Sequence, residues 1–422
     1  MTDAHSRFRT LLAARSISTL CTGMNTVVSA WLVLAIGGSV LNLAILASLN
    51  AGVGIPAVFF GGPLVDRFSR RNVALATELG RIVPVGLIPV LAALGRLELW
   101  HVLVASACVS ALHAVSVAAY GAMLPELLDR DEMVRANGLW QAVSQVGVFT
   151  GAALGGAAIP VLGDANALLL EVAGRVLAGI GLLALAWHPS IRPTAGSRGV
   201  LLRDMAAAWS MLRRRRALLW VTLFAGVPGS LIWGVNAVLP AFVKNENGMG
   251  ATAYGLVDAA WGAGAFIVGL LCARLPARRQ NHRYRIGSLL LTGGTLMAFA
   301  LASDLLSAIA LAAAVGGVSL GCLVLFQSYV QAESPEGYTG RILAMSQLVL
   351  SALWLTAALG VGVLTLVMSI RMVIVCWGLA IAACGLLLHV LLRRSSGTEY
   401  VARHFRHEGR PGMDQPEVKE GA

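Results

Sequence analysis

The sequence predicts an all-α membrane protein whose twelve transmembrane helices form two six-helix bundles. Three observations carry this. Hydrophobic residues make up 57% of the 422-residue chain and charged residues only 13%, against about a quarter charged in a soluble domain. Twelve apolar runs are long enough to cross the hydrocarbon core as helices, the form that satisfies backbone polar groups where no water is at hand. The basic residues also take sides. With the amino terminus inside, 27 of the 32 Lys and Arg lie in inner segments, 3 lie outside (Arg96, Lys244 and Arg371) and 2 lie within spans. That asymmetry puts both termini in the cytoplasm.

Residues 1–15 read as a cytoplasmic segment with Arg7, Arg9 and Arg15, and no cleavable signal peptide is expected. Span one (16–35) carries no acid but offers Ser18, Thr22, Asn25, Thr26 and Ser29. Span two (41–60) runs into a charged turn. Span three (73–94) holds Glu78 and Arg81, and span four (100–122) holds His113 as its one deep ionisable residue. Span five (139–161) has glycines four apart, and span six (167–187) holds Glu171 and Arg175. These six spans form a bundle over 16–187.

Residues 188–217 are the longest polar connection and divide six spans from six. There Leu201, Met205, Ala208 and Leu212 recur at helical spacing beside Trp209, flanked by Arg203 and Arg213 to Arg216. The pattern fits an amphipathic helix on the inner leaflet, or a connector helix packed on the bundle. Spans seven to twelve (218–242, 254–273, 286–302, 305–328, 342–366 and 371–391) form a second bundle over 218–392. Residues 393–422 are polar, with Gly, Pro and charges, and read as a disordered cytoplasmic tail.

The net charge of +11 is therefore a topology signal. No aromatic-interleaved basic domain points to nucleic acid. All six cysteines fall within spans and read as small buried apolar residues, so neither a metal site nor a cofactor is expected. The histidines are scattered without metal-ligand spacing, and no loop is long enough for a sensor output domain, which argues against an enzyme or receptor.

An ionisable side chain inside a bilayer costs roughly 3 kcal/mol on insertion scales, so each one is a functional candidate. Glu78 with Arg81 and Glu171 with Arg175 stand three and four residues apart and suit intrahelical pairs that cancel their own charge. Asp258 has no such neighbour and sits about one turn, roughly 6 Å, into span eight from outside. It either reaches water or carries a proton. His113 is either a hydrogen-bonded structural histidine or a titrating one. Asn25, Gln145, Asn236, Trp261, Gln327 and Trp354 are candidates for a polar-aromatic cavity suited to a large amphiphilic solute.

Two patterns carry a family resemblance. Gly62-x-x-x-Asp66-Arg67-x-x-Arg70-Arg71 lies between spans two and three, with Asp66 at a helix carboxyl end where only nearby cations make an acid favourable. Gly147-x-x-x-Gly151-Ala152-x-x-Gly155-Gly156 lines one face of span five. The first resembles the signature of the major facilitator superfamily, with Ser69 where glycine is usual. The second resembles its antiporter motif, with Ala152 in place of proline. Arg15-Ser16-Ile17-Ser18, Leu124-Pro125-Glu126-Leu127-Leu128, Arg135-Ala136-Asn137, Tyr254-Gly255-Leu256-Val257-Asp258 and Gly340-Arg341-Ile342-Leu343-Ala344 narrow the similarity to the branch of enterobactin-type exporters and macrolide-type efflux pumps.

The resemblance implies a monomeric exporter of a small drug-like or siderophore-like molecule in a bacterial cytoplasmic membrane. It would work by alternating access, with protons as coupling ion and the Asp66 cluster as a latch. An uptake permease of the same fold is the alternative. A weak internal echo, Gly269-x-x-x-Ala273-Arg274 with Arg278, fits duplication of the halves.

Overall fold

The structure is a computed structural model and describes residues 2–128, 132–185, 210, 216–272, 282–333 and 339–408. Among these residues the elements are twelve long helices and one π turn. The first six helices are α1 (Thr2–Ala35), α2 (Val40–Arg67), α3 (Arg70–Ala93), α4 (Leu99–Leu127), α5 (Met133–Leu162) and α6 (Leu168–Ala184). Then come α7 (Arg216–Ala241), the π turn (Phe242–Glu246), α8 (Ala251–Cys272), α9 (His282–Phe299), α10 (Leu305–Glu333), α11 (Thr339–Leu364) and α12 (Ile370–Glu408). By length and composition alone, seven of the helices qualify to cross a membrane, and Val40–Val53 and Ala352–Leu364 are shorter apolar stretches.

Local sequence explains the ends. α1 stops where Gly37 takes a φ of 84°, which lets the Gly38 N–H return to the Val33 carbonyl at 2.8 Å. α3 stops the same way at Gly95, with φ 66° and the Arg96 N–H on the Leu91 carbonyl at 2.9 Å. At the start of α4 the Glu98 and His101 side chains cap each other's backbone N–H groups.

The helices pack in two groups. α1 lies against α5 and α6, and α3 against α4 and α6; α8 lies against α10, and α7 and α9 against α12. Contacts of α5 with α8, and of α2 with α11, join the groups. Large apolar side chains such as Leu87, Leu177, Ile180 and Leu386 are exposed on the outer faces, where acyl chains rather than water would meet them.

Several expectations shift. The helical part of the amino-terminal segment begins at Thr2 and is continuous with span one. α12 continues to Glu408, past residue 393 where a disordered tail is expected; no proline interrupts it before Pro411. α8 starts at Ala251 rather than 254, because Gly248 (φ 64°) makes the turn early enough for Ala251 to Ala253 to join the helix. The cysteines are free, but Cys108 and Cys376 are exposed rather than buried. The amphipathic stripe at 201–212, Arg274 and Arg278 lie outside the described residues.

Candidate functional site

The lipid-immersed core of the first six helices holds four fully buried charges. Glu78, Arg81, Glu171 and Arg175 each have 0% exposure. The expected intrahelical pairs exist: Arg81 Nη2 lies 2.6 Å from Glu78 Oε1, and Arg175 Nη2 lies 3.0 Å from Glu171 Oε1. They are not two separate pairs, however. Arg175 Nη1 also reaches Glu78 Oε2 at 3.0 Å, so the guanidinium of α6 bridges both acids. Ser18 Oγ donates to Glu78 Oε1 at 2.6 Å, and Arg81 Nη2 donates to Ser116 Oγ at 3.1 Å. Asn25 Nδ2 donates to Glu171 Oε2 at 2.8 Å. One network thus ties α1, α3, α4 and α6, and it supplies the hydrogen bonds without which buried ions are costly.

Arg81 also places Nη1 3.4 Å from His113 Nδ1. A guanidinium only donates, so that ring nitrogen is the acceptor and the proton belongs on Nε2. His113 is therefore a neutral structural partner in this arrangement. Arg15 adds a third cation close by. It lies 5.5 Å from the Tyr120 ring and 5.4 Å from the Trp140 ring, with Nε on Ser144 Oγ at 3.2 Å.

Beside this network is a cavity of about 420 Å³ between the two helix groups. Asn25, Asn50 and His113 line it from the first group, and Trp233, Asn236 and Trp354 from the second. The two tryptophan rings are 5.1 Å apart and tilted by 39°. Asn236 Nδ2 donates to Asp258 Oδ1 at 3.0 Å. Asp258 therefore has a partner that its sequence neighbours do not reveal. Because α8 begins at Ala251, Asp258 lies two turns into the helix rather than one. Three of the six cavity candidates, Asn25, Asn236 and Trp354, line the cavity. Gln145, Trp261 and Gln327 do not. Gln145 is exposed on α5, and Trp261 stands edge-on to Phe299.

The cavity is sealed at the end bearing the α1–α2 and α7–α8 connections. Trp31 stacks on Tyr254, with centroids 6.4 Å apart. Lys244 donates to the Leu34 carbonyl at 3.3 Å and lies 5.2 Å from the centre of the Trp31 ring. Thr252 Oγ1 donates to the Gly156 carbonyl at 3.3 Å. The glycine pattern of α5 explains the fit. A Cβ on Gly151 would fall 2.0 Å from the Leu20 carbonyl oxygen of α1, so that face buries backbone on backbone. Gly156 faces the other group instead: a Cβ there would lie 2.8 Å from Gly255 Cα of α8.

Of the charged turn, Arg70 donates to the Ala122 carbonyl at 2.6 Å and pairs with Glu126. Arg71 donates to the carbonyls of Leu182 and Leu183 at 2.7 and 2.6 Å. Arg71 thus caps the carboxyl end of α6, and Arg70 braces the last two turns of α4, where the helix dipole attracts cations. Gly62, Asp66 and Arg67 lie in the last turns of α2, and their side chains fall outside those described.

The family model described as "transmembrane secretion effector" (MFS_3) matches residues 4–416. The chain belongs to this family. It is accordingly a major facilitator transporter, a multi-pass membrane protein that moves a small molecule rather than an enzyme. Among similar proteins, the enterobactin exporter EntS of Citrobacter koseri is 27% identical over 354 residues, covering 80% of each chain. EntS of Shigella boydii is 26% identical over the same length, with the same coverage. The fold matches that of the nucleoside transporter NupG at a TM-score of 0.74 and 10% identity, over 92% of this chain and 99% of that one. It also matches a bacterial homologue of the human lysosomal transporter Spinster at 0.70 and 13%, over 93% and 98%.

Several residues of the transporter's site were not singled out as site residues by sequence reasoning. Ser116 and Lys244 have no pattern that marks them, although Lys244 is one of only two lysines in the chain. Glu126 could have been found, since it sits in the Leu124-Pro125-Glu126 motif and pairs with the motif arginine Arg70.

Proposed function

We propose that this transporter exports a small drug-like or siderophore-like molecule across a bacterial inner membrane by proton antiport with alternating access. The carrying observation is the cavity of about 420 Å³, closed at one end and flanked by a half-buried acid, Asp258, held by a cavity residue. The positive-inside bias orients the sealed end outward, so the cavity would load from the cytoplasm. The likeness to enterobactin exporters supports export. The two helix groups act as the rocking halves, and one copy suffices because the cavity lies within the chain. Glu171 and Arg175 hold the first wall rather than carry protons. Each is spent on the network with Glu78 and Arg81.

The test is efflux of a panel of antibiotics, dyes and catechol chelators from cells with and without the gene. A protonophore should abolish any difference. Loss of efflux on deletion that persists unchanged under protonophore would sink proton antiport.

The charged turn acts as the latch on the inner side. Asp66→Asn is expected to leave membrane insertion intact and lower efflux by about ten-fold, since a cluster of cations loses its carboxylate. Equal efflux by the variant and wild type at matched protein level would refute the latch. Asp258→Asn is expected to uncouple efflux from the pH gradient. Proton release on substrate addition to proteoliposomes measures this; release at the wild-type level would remove Asp258 as the carrier.

A further inference from the structure

We propose that Asn236 is a specificity-determining residue whose amide orientation, set by the protonation of Asp258, decides whether the cavity offers a solute an acceptor or a donor. The inference rests on reading the cavity as the solute site. Asn236 lines the cavity and commits Nδ2 to Asp258 Oδ1 at 3.0 Å. A charged carboxylate only accepts, so the amide must turn its nitrogen to the acid and leave its carbonyl oxygen for a solute. A protonated carboxyl gains a hydroxyl that needs an acceptor. The amide meets it by rotating, spending Oδ1 on the acid and freeing both N–H groups. A solute bound through its own donor then loses its acceptor. Protonation from the outer side would so release a donor-bearing solute, the direction an exporter needs.

The surroundings leave this pair free to switch. Tyr254, one turn earlier on α8, is the titratable neighbour of Asp258. The faces that α5 and α10 turn to α8 carry Phe149, Ala152 and Gly156, and Ala313 and Gly316, none of them charged. α1 contributes Trp31. Lys244 of the π turn is engaged with the Leu34 carbonyl. Among the described residues Asp258 has no ion pair. The opposite wall has the same arrangement without the freedom. There Asn25 donates to Glu171, but Arg175 holds Glu171 at 3.0 Å and keeps it an acceptor. Asn25 is thus the fixed amide and Asn236 the switching one.

The test is equilibrium dialysis of purified full-length protein against two dyes at steps from about pH 4.5 to about pH 8, a range that starts near the ordinary carboxylate value, with no gradient present. Ethidium carries aromatic amines as donors; tetraphenylphosphonium carries none. Ethidium should bind about five-fold more weakly at the low end of the range, the worth of one hydrogen bond, while tetraphenylphosphonium should bind alike throughout. Asn236→Leu, which neither donates nor accepts, should flatten the ethidium response. Asn236→Gln, which keeps the amide, should retain part of it. Asp258→Asn should flatten the response as well. A wild-type pH response in Asn236→Leu, equal responses of the two dyes, or no saturable binding of ethidium would each overturn the proposal. Failure of gradient-driven efflux with the dye response intact would instead strike at antiport and leave the amide switch standing.

Discussion

Arg175→Met is expected to abolish most of the correctly folded, membrane-inserted protein. Arg175 serves two acids at once, Glu78 at 3.0 Å and Glu171 at 3.0 Å, and its Nη1 also donates to the Ser18 carbonyl at 3.2 Å. Methionine fills similar volume but leaves Glu171 with Asn25 alone and the cluster with an excess of carboxylate. Breaking one partner out of a buried ion network costs about 3–5 kcal/mol, a large share of the roughly 5–15 kcal/mol that holds a domain folded. Thermal unfolding of detergent-purified protein and its yield from membranes check this. The double variant Arg175→Met with Glu171→Gln should recover part of the loss, because the stranded acid is gone. A single variant that melts with wild type would show that the cluster does not hold the first six helices together.

Gly156→Leu is expected to abolish transport while sparing the fold. The seam between α5 and α8 brings Gly156 within reach of Gly255, where an added Cβ would stand 2.8 Å from both Gly255 Cα and the Ala251 carbonyl oxygen. Real Cβ atoms do not approach backbone that closely, and backbone cannot rotate aside, so a leucine wedges the two helix groups apart. Within each group the helices still pack on one another. The variant should therefore accumulate normally but lose at least about ten-fold in efflux, because one of two states is removed from the cycle. Spin labels on the loops 163–167 and 242–250 should report a longer separation than in wild type. A longer separation with normal efflux would show that this end does not need to close.

Much of this was legible in the chain. The spacing of three between Glu78 and Arg81, and of four between Glu171 and Arg175, foretold contacts that the structure contains. The four-residue period of Gly147, Gly151 and Gly155 foretold a helix laid against them, though not that the helix is α1. What the sequence hid are contacts between distant segments. Arg175 and Glu78 are 97 residues apart, and nothing local marks them as partners. Asp258 read as unpartnered because Asn236 reaches it from another helix, and as shallow because Ala251 to Ala253 are too weakly apolar to show where α8 begins. Arg70 and Arg71 read as latch residues from their motif. Their contacts with the last turns of α4 and α6 depend on where those helices end. Gln145 and Gln327 failed as cavity residues for a related reason: polarity in a span marks a candidate but does not say which way it faces.

The seam at the sealed end is made largely of glycine and backbone, with Lys244, Trp31 and Tyr254 as its larger members. Glycines have no rotamers to freeze, so bringing these surfaces together forfeits little side-chain entropy. Parting them exposes chiefly the Trp31 and Tyr254 rings. Under the proposed alternating-access cycle, a gate of this construction would need only a modest push from solute or ion to part.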